Sequence, residues 1–368
     1  MTAEQGGTDR DGGGQAGAGQ AGAAAGGGHG TVVGFVGLGN MGIPMTRRLI
    51  AAGCHVRGFD NSEAALRTFA ELQAGSKARE APIGEAPIGE APTDAPESGN
   101  ETAAWGRVTP VTELGSAGEG AEAVILMLPD SDIVERVVLG RLAREPRPAA
   151  GTADGGLLAS LPPGATIIDM SSSDPARTRI LAEQVAEAGL TLIDAPVSGG
   201  VAGARAGTLT VMVGGPAAAF ERFKPLLAVI GSRVVHAGDT GAGHAVKALN
   251  NLMSAAHLLA SSEAMIAGRR FGLDPAVMLE IINGSSGRSW STQNKWPTYV
   301  LTEKYDAGFS IRLMVKDIKL ALAIEHDTGV PAVASEAVVA TWEAALADLP
   351  PDADHTAIAR WLSERSGP

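Results

Sequence analysis

The stretch Thr31-Val-Val-Gly-Phe-Val-Gly-Leu-Gly-Asn-Met-Gly42, continuing through Ile43-Pro-Met-Thr-Arg-Arg-Leu-Ile50, decides the fold. Its first half is a short apolar run of the kind that a parallel strand buried on both faces requires. Its second half is a glycine turn that opens a helical pattern. Gly37 permits the tight turn, Gly39 lets a pyrophosphate approach the backbone, and Gly42 lets the helix pack on the strand while its first N–H groups face the phosphates. With Leu38, Asn40 and Met41 between them, these glycines form a candidate cofactor turn. The spacing alone says little in a chain with 49 glycines. Context adds to it: a second apolar strand, His55 to Phe59, ends at Asp60, where a carboxylate would accept the hydroxyls of a ribose. An ordinary turn residue at a strand end is the other reading of Asp60.

Outward from this unit the pattern repeats. Further apolar runs at 123–128, 166–169, 192–194 and 208–213, with helical spacing between them, predict a doubly wound α/β domain over 31–240. From Gly241 the strand signal stops. Helical patterns at 242–271, 274–283, 310–328, 334–347 and 355–363 predict an all-helical C-terminal domain over 241–368 that begins with a long helix between the two. Residues 1–30 are Gly, Ala, Gln and Asp without an apolar segment, and are expected to be a disordered tail. The repeat Ala81-Pro-Ile-Gly-Glu-Ala-Pro-Ile-Gly-Glu90 lies in a Gly, Ser and Glu context that cannot pack a core, so a disordered insertion is expected at about 74–103. A second loose stretch runs from Arg141 to Gly156.

Composition narrows the partners. A formal charge of −12 argues against nucleic acid or an anionic membrane, either of which would select a basic face. No apolar run is long enough to span a bilayer, and a cytoplasmic protein is expected. The single cysteine, Cys54, leaves no intrachain disulfide and no cysteine-built metal site, and no metal is expected. Aromatic residues make up only 4% of the chain. They are too few to close the apolar faces of the helical domain, so a homodimer or homotetramer is expected.

The interdomain helix carries one lysine in its apolar opening, Thr240-Gly-Ala-Gly-His-Ala-Val-Lys-Ala-Leu-Asn-Asn251. Residues four apart share a helix face, so Gly243, Lys247 and Asn251 line up, and the remaining circumference reads as largely buried. An ammonium there is costly to desolvate unless a neighbour such as Asn251 hydrogen-bonds it or a cleft opens beside it. A structural lysine whose stem lies along apolar surface is the alternative. His236, His244 and His257 have no paired acid at helical spacing and read as structural. Arg288, in the polar segment Ser285 to Trp290, reads either as a substrate-side cation or as a cap or surface ion pair.

Four segments carry a resemblance: 33–42, Asp194-Ala-Pro-Val-Ser-Gly-Gly200, Gly241-x-Gly-x-x-x-Lys247-x-x-Asn250-Asn251 and Lys316-Asp317-x-x-Leu-Ala321. In order and at these separations they resemble the signatures of the β-hydroxyacid dehydrogenases, the group of 3-hydroxyisobutyrate dehydrogenase and tartronate semialdehyde reductase. The resemblance implies a Rossmann-type domain followed by a helical domain of the 6-phosphogluconate dehydrogenase type. It also implies a small hydroxy acid or semialdehyde as substrate. By the same resemblance Ser198, Gly199 and Gly200 would hold the substrate carboxylate, with Phe309 and Asp317 completing the pocket. Lys247 would be the acid/base and Asn251 its polar neighbour. Leu128, Pro129, Ser172 and Lys316 match cofactor-contacting positions, and Ser172 stands where relatives often carry threonine. NAD is expected over NADP, because Asp60 would repel a 2′-phosphate and Asn61 stands where NADP-using relatives tend to carry arginine. An imine reductase and a non-catalytic nucleotide-sensing module are the alternatives of similar architecture. The lysine argues against the first, since such relatives generally replace it.

Overall fold

A computed structural model of the protein describes residues 30–74, 105–145 and 156–365. The expected tail, the Pro-rich repeat and all but the ends of the stretch after Arg141 lie outside the described residues. The first of those ends is anchored, since Arg141 is buried and its guanidinium donates to the carbonyls of Leu142 and Glu145 and to the Gln184 side chain.

The apolar runs form strands β1 (Val32–Val36), β2 (His55–Phe59), β3 (Val108–Pro110), β4 (Ala123–Leu126), β5 (Thr166–Asp169), β6 (Thr191–Asp194), β7 (Val197–Ser198), β8 (Thr210–Gly214) and β9 (Arg233–Gly238). They make one sheet in which β3-β2-β1-β4-β5-β6 run parallel. β8 then lies antiparallel to β6 and β7 and parallel to β9. Helices α1 (Gly42–Ala51), α2 (Glu63–Ala74), α3 (Ser131–Leu139), α4 (Pro175–Glu187), α5 (Gly200–Ala206) and α6 (Ala217–Ala228) cover both faces. Alternation along the strands explains the two layers. Val33, Phe35, Ile125, Ile168 and Ile193 belong to one core with Met45, Leu49 and Phe69. Their strand neighbours Val36, Val124, Leu126, Ile167 and Leu192 belong to the other, with Val134, Leu181 and Val185. Each such side chain contributes about 1.5–3 kcal/mol by leaving water. Cys54 sits in the first core, where burial raises its thiol to about 11, as suits a small apolar filler.

The helical C-terminal region comprises α7 (Ala242–Phe271), α8 (Pro275–Asn283), α9 (Ile311–Asp327), α10 (Val333–Asp348) and α11 (Ile358–Arg365) around a third core that includes Trp342, Ile318 and Leu258. Two segments depart from the sequence reading. Ser291–Val300 is wound as a π-helix despite Pro297, in a stretch between the expected helices 274–283 and 310–328 where the sequence reading placed none. And α7 is not buried all round: Val246 is 43% and Met253 60% exposed, on an open stripe that continues to His257. None of the described helices is long and apolar enough to cross a membrane.

The junction of sheet and helices is held by one carboxylate. Asp194, fully buried at the end of β6, accepts the N–H of Gly241 at 2.7 Å and of His244 at 2.8 Å, and so caps α7 from another element. Gly243 makes this approach possible, because a Cβ there would lie 2.3 Å from the Met212 carbonyl oxygen and 2.8 Å from Asp194 Oδ2. His244 completes the clamp. Its Nε2 donates to the Ser171 carbonyl at 3.1 Å and its Nδ1 meets the Thr178 hydroxyl at 2.8 Å, with Asp169 and Asp194 both within 4 Å. The acids missing at helical spacing are therefore supplied by β5 and β6. Asp194→Ala leaves two buried N–H donors without a partner and is expected to cost about 3 kcal/mol, with Asp194→Asn intermediate. A urea midpoint unchanged in Asp194→Ala would refute the clamp.

Candidate active site

Four elements meet at the carboxyl ends of the strands. The first is the turn between β1 and α1. Gly37 holds φ at +99°, and a Cβ on Gly42 would overlap the Gly37 carbonyl oxygen at 1.9 Å, so the turn closes only with glycine at both places. Gly39 and Asn40 are exposed, and nothing lies within 4 Å of where a Gly39 Cβ would be. Met41 stands at the N-cap of α1 with no side-chain cap, which leaves first-turn N–H groups for an anion. These residues fit a dinucleotide. Asp60 has a second duty that the sequence did not reveal. Its carboxylate accepts the Leu38 N–H at 2.7 Å and the Ser62 N–H at 2.8 Å, tying the end of β2 to the turn.

The second element is the pair of strand ends after β4 and β5. The Leu128 N–H donates to the Ser171 hydroxyl at 2.9 Å. Lys316, from the first half of α9, reaches across to donate to the Pro129 carbonyl at 3.0 Å and to the Ser172 carbonyl, while pairing with Asp317 at 3.1 Å. Sequence alone allowed a surface charge at Lys316; in the fold it joins the helical region to both strand ends.

The third is the face of α7 that carries Lys247 and Asn251. Asn251 does not hydrogen-bond the lysine as expected. Its Nδ2 donates to Asp317 Oδ2 at 2.7 Å, so a buried amide–carboxylate pair binds α7 to α9. Lys247 is half-buried and has neither a hydrogen bond nor an ion pair among the described residues. Burial lowers its pKa below the ordinary lysine value; the Asp317 charge opposes this and the Lys316 charge adds to it.

The fourth is a loop pair. Half-buried Ser198 is held in β7 by pairing with Thr210, and the exposed Gly199 and Gly200 lead into α5. A Cβ on Gly308 would lie 3.7 Å from Val201, which places the loop before α9 against the first turn of α5. Phe309 follows, edge-on to His355 with centroids 5.8 Å apart. Asp354 fixes this loop by accepting the N–H groups of Gly308 and Phe309.

The sequence reading missed Lys295, Ser254 and His355. Lys295 is buried on the π-helix and donates to Ser254 at 2.8 Å. Burial lowers its pKa to about 8, with Asp354 opposing and Lys247 adding. A helical spacing of Thr292, Lys295, Trp296 and Val300 was the available signal, masked by Pro297. Arg288, the cation the sequence offered instead, is exposed and makes no side-chain hydrogen bond or ion pair among the described residues. His236 stacks on Phe220 and His257 is exposed. A hollow of about 280 Å³ lined by Leu139, Arg141, Leu158 and Gln184 includes none of the site residues. No cluster of His, Cys, Asp and Glu among the described residues could hold a metal ion.

A glycine turn at the head of a doubly wound sheet, with polar strand ends and a lysine-bearing helix closing over them, is the build of a nicotinamide-dependent dehydrogenase. The chain matches the NAD binding domain of 6-phosphogluconate dehydrogenase over residues 32–238 and the NAD-binding domain of NADP-dependent 3-hydroxyisobutyrate dehydrogenase over 241–362. It is 36% identical over 299 residues to 2-(hydroxymethyl)glutarate dehydrogenase of Eubacterium barkeri, covering 81% of this chain and 84% of that one. To 3-hydroxyisobutyrate dehydrogenase of Pseudomonas aeruginosa it is 38% identical, covering 80% and 85%. The solved structure of Mycobacterium tuberculosis 3-hydroxyisobutyrate dehydrogenase with L-serine superposes with a TM-score of 0.72 at 29% identity, covering 90% of this chain and 99% of that one. The chain belongs to the β-hydroxyacid dehydrogenase family, oxidoreductases that transfer hydride between NAD(P) and the CH–OH group of a small hydroxy acid.

His355 provides a test of the site's burial. Desolvation, reinforced by the Lys295 charge and opposed by Asp354, holds its pKa well below the ordinary 6.5, at about 4. The folded state thus binds fewer protons than the unfolded chain between those values, so stability is fully present above pH ~6.5 and falls as pH drops toward ~4. His355→Gln should flatten that part of the urea-midpoint profile. An unchanged slope would mean that the histidine is not held neutral.

Proposed function

We propose that this dehydrogenase uses NAD, that its substrate is a 3-hydroxy acid, and that Lys247 is the acid/base. The observation that carries the proposal is the state of Lys247: half-buried, without a hydrogen-bond or ion-pair partner among the described residues, and with its pKa lowered by burial. A desolvated amine of that kind can take the carbinol proton at its Nζ near neutrality, which an ordinary lysine at ~10.4 would not. The same state favours a dehydrogenase over an imine reductase. Ser198 Oγ and the N–H groups of Gly199 and Gly200 hold the carboxylate. Phe309 and Asp317 complete the pocket, and Asn251, locked to Asp317, keeps the α7 face in register. Gly37 to Gly42, Asp60, Leu128, Pro129, Ser172 and Lys316 hold the dinucleotide. When bound, its nicotinamide supplies the hydride acceptor or donor.

Asp60 supports NAD over NADP, because a carboxylate that orders the Leu38 turn also repels a 2′-phosphate. The named substrates of the relatives, 3-hydroxyisobutyrate and 2-(hydroxymethyl)glutarate, share a carboxylate beside a hydroxymethyl group. We read the chain as two domains meeting near Thr240 and Gly241. It assembles as a homodimer or homotetramer, a reading supported by the exposed Met253, Phe271, Val277 and Ile281.

Lys247→Ala is expected to lower kcat by roughly 10² to 10⁴ while NAD binding and thermal midpoint stay near wild type. Near-normal turnover in a folded, NAD-binding variant would remove the lysine from the mechanism. In wild type, kcat/KM with NAD should exceed that with NADP, and Asp60→Ala should narrow the difference. Equal use of the two cofactors by wild type would count against the role given to Asp60.

A further inference from the structure

We infer that the substrate bears a second carboxylate and that Lys295, steadied by Ser254, receives it; the inference rests on the dehydrogenase reading above and names its substrate class. Lys295 is 8% exposed, yet only one of its three N–H donors has a partner among the described residues, the Ser254 hydroxyl at 2.8 Å. No carboxylate among the described residues lies within ion-pair distance of it. An ammonium buried against a single neutral hydroxyl is costly, and the cost falls when an anion joins it.

The acids and bases around it leave that role open. Asp354 is the acid whose charge acts on Lys295, but its oxygens already accept the N–H groups of Gly308, Phe309 and Thr356 and the Thr356 hydroxyl. It is committed to the loop that carries Phe309. His355, held neutral near pH 7, adds no competing charge, and its buried Nε2 has no hydrogen-bond partner.

Position then links Lys295 to the reacting end. Ser254 follows Lys247 by seven residues, which is two turns and about 10 Å along α7 on nearly the same face. Lys247, Asn251 and Ser254 therefore line one edge, and the Lys247 charge acts on Lys295. A hydroxymethyl carbon at Lys247, with its neighbouring carboxylate at Ser198, directs the substituent on the carbon between them along this edge toward Lys295. A methyl group would end short of the ammonium. A chain ending in a carboxylate would reach it and supply the missing counter-charge. The class is a 2-substituted 3-hydroxy acid with a distal carboxylate.

The test compares 2-(hydroxymethyl)glutarate with 3-hydroxyisobutyrate, which share the carbinol and the first carboxylate, using wild type, Lys295→Met, Lys295→Arg and Ser254→Ala with NAD. Wild type is expected to favour the dianion in kcat/KM by about 10- to 100-fold, as for one charge-assisted hydrogen-bonded contact. That ratio should fall toward one in Lys295→Met, mainly through KM for the dianion, and lie between in Lys295→Arg and Ser254→Ala. A calorimetric comparison of glutarate with butyrate, bound to wild type and to Lys295→Met in the presence of NAD, reads the same contact without turnover. Glutarate should bind more tightly only to wild type. A wild-type preference for the monoanion, a parallel loss of both substrates in Lys295→Met, or equal binding of glutarate and butyrate by wild type would overturn the inference. If neither acid is oxidised although NAD binds, the dehydrogenase reading fails on its own, and the glutarate comparison still decides whether Lys295 binds a carboxylate.

Discussion

The contact between Asp194 and the first turn of α7 is the constraint on which the rest of the site depends. A helix start leaves N–H groups unpaired, and here the two that face the sheet are satisfied by a carboxylate from the end of β6. The distance from this clamp to Lys247 is set by helix geometry, one turn beyond His244, so the lysine's height above the strand ends follows from it. Gly243 allows the clamp to close without a side chain between helix and sheet, and His244 bolts the same turn to Ser171 and Thr178. The glycine turn at β1, the strand ends at Pro129 and Ser172, and the Ser198 loop are all edges of that one sheet. Their spacing relative to Lys247 is therefore inherited from strand register rather than built loop by loop.

Three lysines of the helical region, Lys247, Lys295 and Lys316, stand at the site, and each meets a different electrostatic setting. Lys316 is paired with Asp317 and donates to two backbone carbonyls, so its charge is well compensated. Lys247 has no such partner and lies where burial dominates. Lys295 is buried deeper and shares only a hydroxyl. Asp317 binds the first directly, acts on the second through space, and is locked to α7 by Asn251. Asp317 and Asp354 are the two acids whose charges act on these lysines, and both are already engaged by other donors, so three cations face two committed carboxylates and an anionic ligand would even the balance.

The sequence by itself determined the architecture and named the candidate residues at the strand ends and on α7 and α9. Apolar runs separated by helical spacing specify a buried parallel sheet because both periods are local properties of the backbone, and Gly37 to Gly42 state their own turn. The stop of the strand signal at Gly241 was legible for the same reason, and so were the α7 boundaries, since both ends carry glycine. What only the tertiary structure decided is which side chains are left without partners. Asn251 was expected beside Lys247 because they are four residues apart on one helix, yet its Nδ2 donates to a carboxylate on α9 and its Oδ1 accepts from Asn250 instead of the lysine. The acids around His244 come from strands far away in sequence, and Asp60 spends its oxygens on Leu38 and Ser62. Lys295 lay inside a segment whose proline hid a π-helix, and its burial depends on that segment packing against α7, α8 and the turn at His355. Helical and strand periods are written within a few residues of each other; desolvation and hydrogen-bond competition depend on groups that meet only after the chain has folded.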